Sequence, residues 1–339
     1  MAEVKLSLDE VYQLAESCLL ASGCNQENAG AVARTLKAAE RDGCAAHGLF
    51  RLPGYIASLR SGKVNGKAEP TITNLSPAVV QVDGDRGYAP LALEKGRDAL
   101  IAAARNNGIA AMALVNIHHF AALWAEVEPV ASEGLAAMAF TTYKPAVVPV
   151  GAKQALFGTN PMCFGWPRGD QPPLVFDQAS ASMARGEVMI AAREGVSLPP
   201  GVGIDANGSP TTEPSKILDG GALLPFGGHK GSAIALMIEL LVAGLTGQDF
   251  SFEAQENDNN DGGPPIGGEL MLAFDPTHFG DADAWLQHAE TFLQRLNAME
   301  GARLPGDRRY ACRSKHESEG VNIPEELHAK CLGFIDASP

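Results

Sequence analysis

Apolar residues recur at helical spacing through the first 65 residues, then give way to short continuous runs. Ser7 is a good N-cap for "LDEVYQLAESCLLASG", and Gly23 is a natural stop. Asn25 caps a second helix over roughly 26–42, with Ala29, Val32, Ala33 and Leu36 as its apolar positions. "GLFRLPGYIASLRSG" reads as a third helix that starts or kinks at Pro53. Beyond it "PAVVQVDGD" (77–85) is strand-like, and "LALEKGRDALIAAARNNG" (91–108) is a helix ending at Asn-Asn-Gly. "IAAMALV" (109–115) and "LAAMAFT" (135–141) read as buried strands with a helical segment between them. Shorter strands follow at 162–166 and 174–177, then a helix in "SMARGEVMIAAREG". "GSAIALMIELLVAGLTG" is a strongly apolar helix, expected to be central. "ELMLAFD" (269–275) is a further strand, and "DADAWLQHAETFLQRLNAME" an amphipathic helix. Two segments read as loops: the Pro- and Gly-rich 197–214, and the polar, acidic 253–269, expected to be mobile.

Helices, then a mixed body, then a closing helix give the α/β class in its α+β form. The closing helix is expected to return to the first ones. That makes a discontinuous helical domain of residues 1–75 with 283–339 around a mixed α/β domain of 76–282.

A chain of 339 residues with 45% hydrophobic composition buries a sizeable core. Its net charge of −14 argues against nucleic acid or an anionic membrane as partner, though not against a local basic pocket. The six cysteines are scattered without a CxxC pair, which suits reduced thiols. The N-terminus has no apolar signal core, and the longest apolar run, 233–245, is broken by Glu239. A cytoplasmic, soluble protein is expected.

Neither a P-loop nor a Rossmann fingerprint is present, so any nucleotide must be held by another geometry. Four clusters could carry chemistry. His47 and Arg51 share a helical face. They are either a surface pair or a general acid beside a carboxylate-binding fork. His118 and His119 follow a strand and point to opposite faces, poor geometry for one metal. They line either a cofactor pocket or nothing in particular, and no metal is expected. "PFGGHKGSA" (225–233) leads glycines, His229 and Lys230 into the apolar helix. It is an anion site at a helix N-terminus or a flexible turn. Arg303, Arg308, Arg309 and Arg313 cluster in an otherwise acidic chain. They bind a phosphate or form a solvated salt-bridging loop.

Taken together, "ERDGCAAHGLFRLPGYIASLRSGKVNGKA", "HHFAALWAEVEP", "LFGTNP", "IAAREG", "ILDGGALLPFGGHKGSA" and "RLPGDRRY" resemble the type-2 malate/L-lactate dehydrogenases. This is a non-Rossmann nicotinamide oxidoreductase family, and within it the chain is most similar to the branch that reduces cyclic imines. The resemblance covers nearly the whole chain. It implies NADPH-dependent reduction of Δ1-piperideine-2-carboxylate and Δ1-pyrroline-2-carboxylate to L-pipecolate and L-proline. It further implies a homodimer and a cofactor-binding domain with a mostly antiparallel sheet. By motif, His47 would donate the proton, Arg51 would bind the substrate carboxylate, and Thr159, Arg185 and Gly186 would face substrate. His119, Phe120, Ala121, Ala122 and Leu123 would line the cofactor. So would Asp177, Gln178, Ala179, His229 and Lys230, and the stretch Arg303, Leu304, Pro305, Gly306, Asp307, Arg308 and Arg309.

Three positions depart from the family pattern. Ala46 stands where the family has a serine thought to relay charge to the histidine, and Glu187 stands where the reductases have an aspartate. Arg185 likewise replaces their histidine. Alanine cannot hydrogen-bond an imidazole, so one orienting contact is lost. An imine nitrogen is basic and needs less help from an enzyme acid than a ketone does, so activity is expected to survive. The competing readings are a 2-hydroxy-acid dehydrogenase of the same family and a protein silenced at Ala46.

Overall fold

The computed structural model describes residues 2–118 and 122–336. A short strand β1 (Glu3–Leu6) precedes helices α1 (Leu8–Ala21) and α2 (Gln26–Arg41). Two single 3-10 turns, Ala45–His47 and Leu49–Arg51, lead into α3 (Leu52–Arg60). Then come β2 (Thr71–Ser76), β3 (Val79–Asp83), α4 (Ala89–Asn107), β4 (Ile109–His118), α5 (Leu123–Ser132) and β5 (Ala136–Thr141). β6 (Met162–Arg168) and β7 (Gln171–Gln178) form a hairpin, followed by α6 (Arg185–Glu194). Three two-residue strands, β8 (Gly203–Ile204), β9 (Pro210–Thr211) and β10 (Ala222–Leu223), surround α7 (Pro214–Leu218). α8 (His229–Glu239) runs into a π-type turn, Leu240–Gly244. α9 (Ser251–Glu256), β11 (Ile266–Phe274), α10 (Trp285–Asn297), α11 (Asp307–Glu319), β12 (Val321–Pro324) and α12 (Glu325–Asp336) complete the chain.

The helix signals in the first third act as expected. The Ser7 side chain accepts from the Glu10 N–H while Glu10 reaches back to the Ser7 N–H, a reciprocal capping box. Asn25 caps α2 through the Asn28 N–H. The buried faces of α1, α2 and α3 share one core with Val321 and Ile323 of β12 and Cys331 of α12. β1 and β12 pair antiparallel, tying the two ends of the chain together.

The main sheet has seven strands in the order β2-β3-β4-β11-β5-β6-β7. Every neighbouring pair is antiparallel except β3–β4, which α4 joins as a crossover. The sheet is thus mostly antiparallel, as the resemblance implied. β4 and β11 lie at its centre, which explains their continuous apolar runs. α4 and α5 cover one face, and Ile238 of α8 with Val242 of the following π-type turn packs on the other against Phe140 and Leu270.

Two expectations change. α8 is not central. Its outer face leaves Leu236 and Met237 exposed, and Leu240 and Leu245 are exposed in the segment that follows it. The 253–269 segment is held down rather than free. Lys63 is buried and bonds Asp258 and Asp261 at 2.7 Å each, and Lys144 bonds Asp258 at 2.7 Å. A buried ammonium requires such counter-charges, and they come from the acidic loop. α10 packs Leu293 with Leu174 of β7 and Leu304, and Glu290 takes a two-pronged bond from Arg168 at 2.8 Å. No described helix is long and apolar enough to cross a membrane.

Candidate active site

The opening residues of the site sit on two successive tight turns. His47 ends the first, and Arg51 ends the second. Gly48 joins them above the buried carboxyl of Glu40, whose Oε1 accepts the Leu49 N–H at 2.8 Å. Burial pushes the Glu40 carboxyl up to about 7, against the opposing effect of that hydrogen bond.

Arg51 is aimed by its own backbone. Its Nε donates to the Ala46 carbonyl at 2.8 Å. The terminal nitrogens then face Gly186 in the first turn of α6. A Cβ on Gly186 would lie 3.8 Å from Arg51 Nη2 and 3.5 Å from the Ala46 methyl. So the α6 N-terminus, with Arg185 half-buried and Glu187 exposed, is carried onto the His47–Arg51 turns. Gly186 thus lies about a methyl's contact distance from both the Arg51 guanidinium and the Ala46 side chain.

The His47 ring meets Trp124, the second residue of α5, edge to face at 5.5 Å between centroids. The buried Trp124 donates its indole N–H to Asp42 Oδ2 at 3.1 Å. Asp42 is in turn held by Arg313 at 2.9 and 2.8 Å, and Arg41 bonds it at 2.8 Å. Burial works to raise the Asp42 carboxyl, yet the hydrogen bonds from Arg313 and Arg41 prevail and keep it below the usual range. Arg313 also forks onto Glu128 at 2.6 and 2.8 Å. Its guanidinium is therefore committed to two carboxylates, so for this arginine the salt-bridging alternative holds.

Arg309 behaves differently. Its guanidinium lies 5.5 Å from the Trp124 ring centroid, and Nη2 donates to the Val175 carbonyl at 3.0 Å. Nη1 is buried and has no hydrogen-bond partner among the described residues. Burial raises the Asp177 carboxyl at the end of β7, and the charge of Arg309 partly offsets it. Cys44, also near Arg309 and Asp177, has its thiol pushed up to about 12 by burial, so it is not a nucleophile.

Ser180 ties the remaining pieces together. Its N–H donates to the Thr159 carbonyl at 2.8 Å and its hydroxyl to the Asn160 carbonyl at 2.7 Å. Its own carbonyl accepts the Phe226 N–H at 3.0 Å. The Thr159 loop, the end of β7 and the glycine turn before α8 thus form one unit. Gly227 and Gly228 adopt φ of +55° and +62°, and His229 and Lys230 stand exposed at the start of α8.

Other expected positions are less direct. His119, Phe120 and Ala121 lie outside the described residues. Ala122 and Leu123 are buried in the main core, and Leu304 sits in the cluster under α10. Ala179 packs with the residues around Val147 and Val188, while Gln178 is exposed. Arg303, Pro305, Asp307 and Arg308 are exposed around the start of α11, and Gly306 caps it at φ +93°. The buried His118 ring packs between Tyr55 and Tyr88 at 6.0 and 5.3 Å. No metal-binding group of three or more side chains occurs among the described residues. Sequence reading missed Trp124, Asp42 and Glu40. Each sits at a position that periodicity alone assigns to core or cap.

The malate/L-lactate dehydrogenase family model matches residues 6–331. A delta(1)-pyrroline-2-carboxylate reductase of Ancylobacter novellus is 46% identical over 329 residues, covering 96% of each chain. A (2R)-3-sulfolactate dehydrogenase (NADP(+)) of Chromohalobacter salexigens is 43% identical over 322 residues, 95% of each chain. The crystal structure of delta1-piperideine-2-carboxylate reductase from Pseudomonas syringae pathovar tomato superposes with a TM-score of 0.93. It is 44% identical and covers 98% of this chain and 99% of that one.

Proposed function

Because the chain belongs to the malate/L-lactate dehydrogenase family of oxidoreductases, we propose that it reduces cyclic imine 2-carboxylates with NADPH. Δ1-Pyrroline-2-carboxylate would yield L-proline and Δ1-piperideine-2-carboxylate L-pipecolate. The observation that carries this reading is the geometry at Arg51. Its Nε is spent on Ala46, and its Nη2 lies beside Gly186 next to the turn that carries His47. In this reading the substrate carboxylate pairs with the free end of that guanidinium.

In this reading Arg51 holds the carboxylate, and the wall formed by Gly186 and Ala46 orients the ring. His47 supplies the proton that the ring nitrogen gains as the carbon–nitrogen double bond is reduced. The family's nicotinamide cofactor supplies the hydride. The buried Nη1 of Arg309, together with Arg303, Arg308 and Lys230, offers cationic partners for its phosphates. A 2′-phosphate gives the extra cations a purpose, so NADPH is favoured over NADH. An imine suits this site better than a ketone, since its nitrogen can arrive already protonated while Ala46 provides no hydroxyl to His47. The exposed apolar face of α8 suits a second copy of the chain, hence a homodimer. Six unpaired cysteines suit the cytoplasm.

The sulfolactate dehydrogenase relative favours one second reading, oxidation or reduction at a 2-hydroxy acid. Initial rates of NADPH oxidation on a panel of both imines, pyruvate, oxaloacetate and 3-sulfopyruvate separate the two. A rate on the imines at least tenfold above the 2-oxo acids is expected, and the reverse order would replace the proposal.

A further inference from the structure

The chain lacks the hydroxyl at position 46, yet something must fix the His47 ring if it donates a proton. We infer that Trp124 is the positioning residue that takes over this task, held in place by Asp42. The inference rests on the reading of His47 as proton donor.

Three observations support it. Trp124 makes the edge-to-face contact with the His47 ring, at 5.5 Å between centroids. The indole cannot rotate freely, because it is buried and its N–H is bonded to Asp42 at 3.1 Å. Asp42 cannot move either, being gripped by Arg313 from α11 and by Arg41 from its own helix. The contact therefore links three helices, α2, α5 and α11, to one imidazole. Arg309 approaches the same indole, its guanidinium 5.5 Å from the ring centroid. An aromatic wall against the ring restricts its rotation and so helps keep its aim.

The test is Trp124→Phe, which keeps an aromatic side chain and removes the N–H that Asp42 holds. Trp124→Tyr carries the same test should the first variant not fold. With Δ1-piperideine-2-carboxylate, kcat should fall about tenfold where the imine is neutral and less at low pH, where the substrate brings its own proton. KM should stay near the parent value, because Arg51 is untouched. Adding Ala46→Ser to the Trp124→Phe protein should recover part of the loss, as a new hydroxyl replaces the missing wall. NMR of the labelled His47 imidazole needs no turnover, and its resonances should shift and broaden in the variant. Equal loss at every pH without recovery by Ala46→Ser would mark a structural role only. Unchanged rates and unchanged His47 resonances would also overturn the inference. His47→Asn is the control for the underlying reading: full activity there refutes the proton donor itself, independently of Trp124.

Discussion

The carboxyl of Glu40 lies directly beneath Gly48, so close that a Cβ on that glycine would overlap Oε1. The turn that carries His47 thus closes over a buried acid. Burial raises that acid to about 7 from an ordinary 4.5. The folded state holds a proton that the unfolded chain releases earlier. The stabilisation is full below about pH 4.5 and is lost as pH rises through about 7. Glu40→Gln keeps an acceptor for Leu49 and removes the titration. Melting temperatures of the two proteins should converge near pH 5, and the variant should gain at pH 8 by the equivalent of a few kcal/mol. Parallel curves across that window would show that Glu40 does not titrate there.

Gly186 makes a sharper test of the substrate pocket. A Cβ there meets Ala46 and Arg51 only at ordinary contact distance, so Gly186→Ala should fold as well as the parent. The methyl would instead occupy the space assigned to the carboxylate. KM for either imine should rise about tenfold or more while the melting temperature stays within a degree or two. An unchanged KM would move the carboxylate elsewhere.

Much of this was legible in the chain because the physics involved is local. Caps at Ser7 and Asn25 and the apolar runs of β4 and β5 depend on neighbours within one turn or strand. The shared helical face expected of His47 and Arg51 is not formed, because Gly48 breaks the segment into two separate turns. What was not legible depends on distant partners. β1 and β12 are four residues each and pair across almost the whole chain, with no periodic signal of their own. Trp124 looks like one more apolar residue on α5 until Asp42 and His47 are brought to it. Arg313 and Arg309 differ by four residues and share a helix, yet only the former meets two carboxylates. The acidic loop looked mobile because its counter-charge, Lys63, lies 195 residues away from Asp258 in sequence.

Arg51→Lys separates charge from geometry. Lysine keeps the cation but loses the Nε bond to Ala46 and the planar fork. KM for the imine carboxylates should rise roughly ten- to a hundredfold, with a smaller change in kcat. A proportionate fall in kcat with KM unmoved would place Arg51 in the chemical step instead.

Ala46→Ser tests the missing hydroxyl in the parent protein. A serine hydroxyl helps hold and polarise the imidazole, which matters most where the enzyme must deliver the whole proton. The gain in kcat should be larger on a 2-oxo acid than on a cyclic imine. Unchanged kinetics on both substrate types would mean that position 46 carries no relay in this chain.

The Lys63 clamp predicts a local failure with an acid signature. Its ammonium bonds Asp258 and Asp261, and Asp261 also accepts from Ser61 and the Gly263 N–H. Burial alone would raise the Asp261 carboxyl, but these bonds outweigh it and hold it at about 2. A depressed carboxyl stabilises the fold above its ordinary 3.8 and loses that contribution as pH falls toward 2. Lys63→Met leaves Asp261 without its cation beside Asp258, which keeps Lys144. Replacing one partner of a buried pair costs about 3–5 kcal/mol, part of which the loop can recover by swinging into water. Limited proteolysis of the variant at neutral pH should therefore cut within 253–269, where the parent resists. Its stability should also decline less than the parent's between pH 4 and 2, since Asp261 without Lys63 is no longer held so far below its ordinary range. Equal protease resistance together with an unchanged acid slope would show that the loop is anchored by its backbone rather than by Lys63.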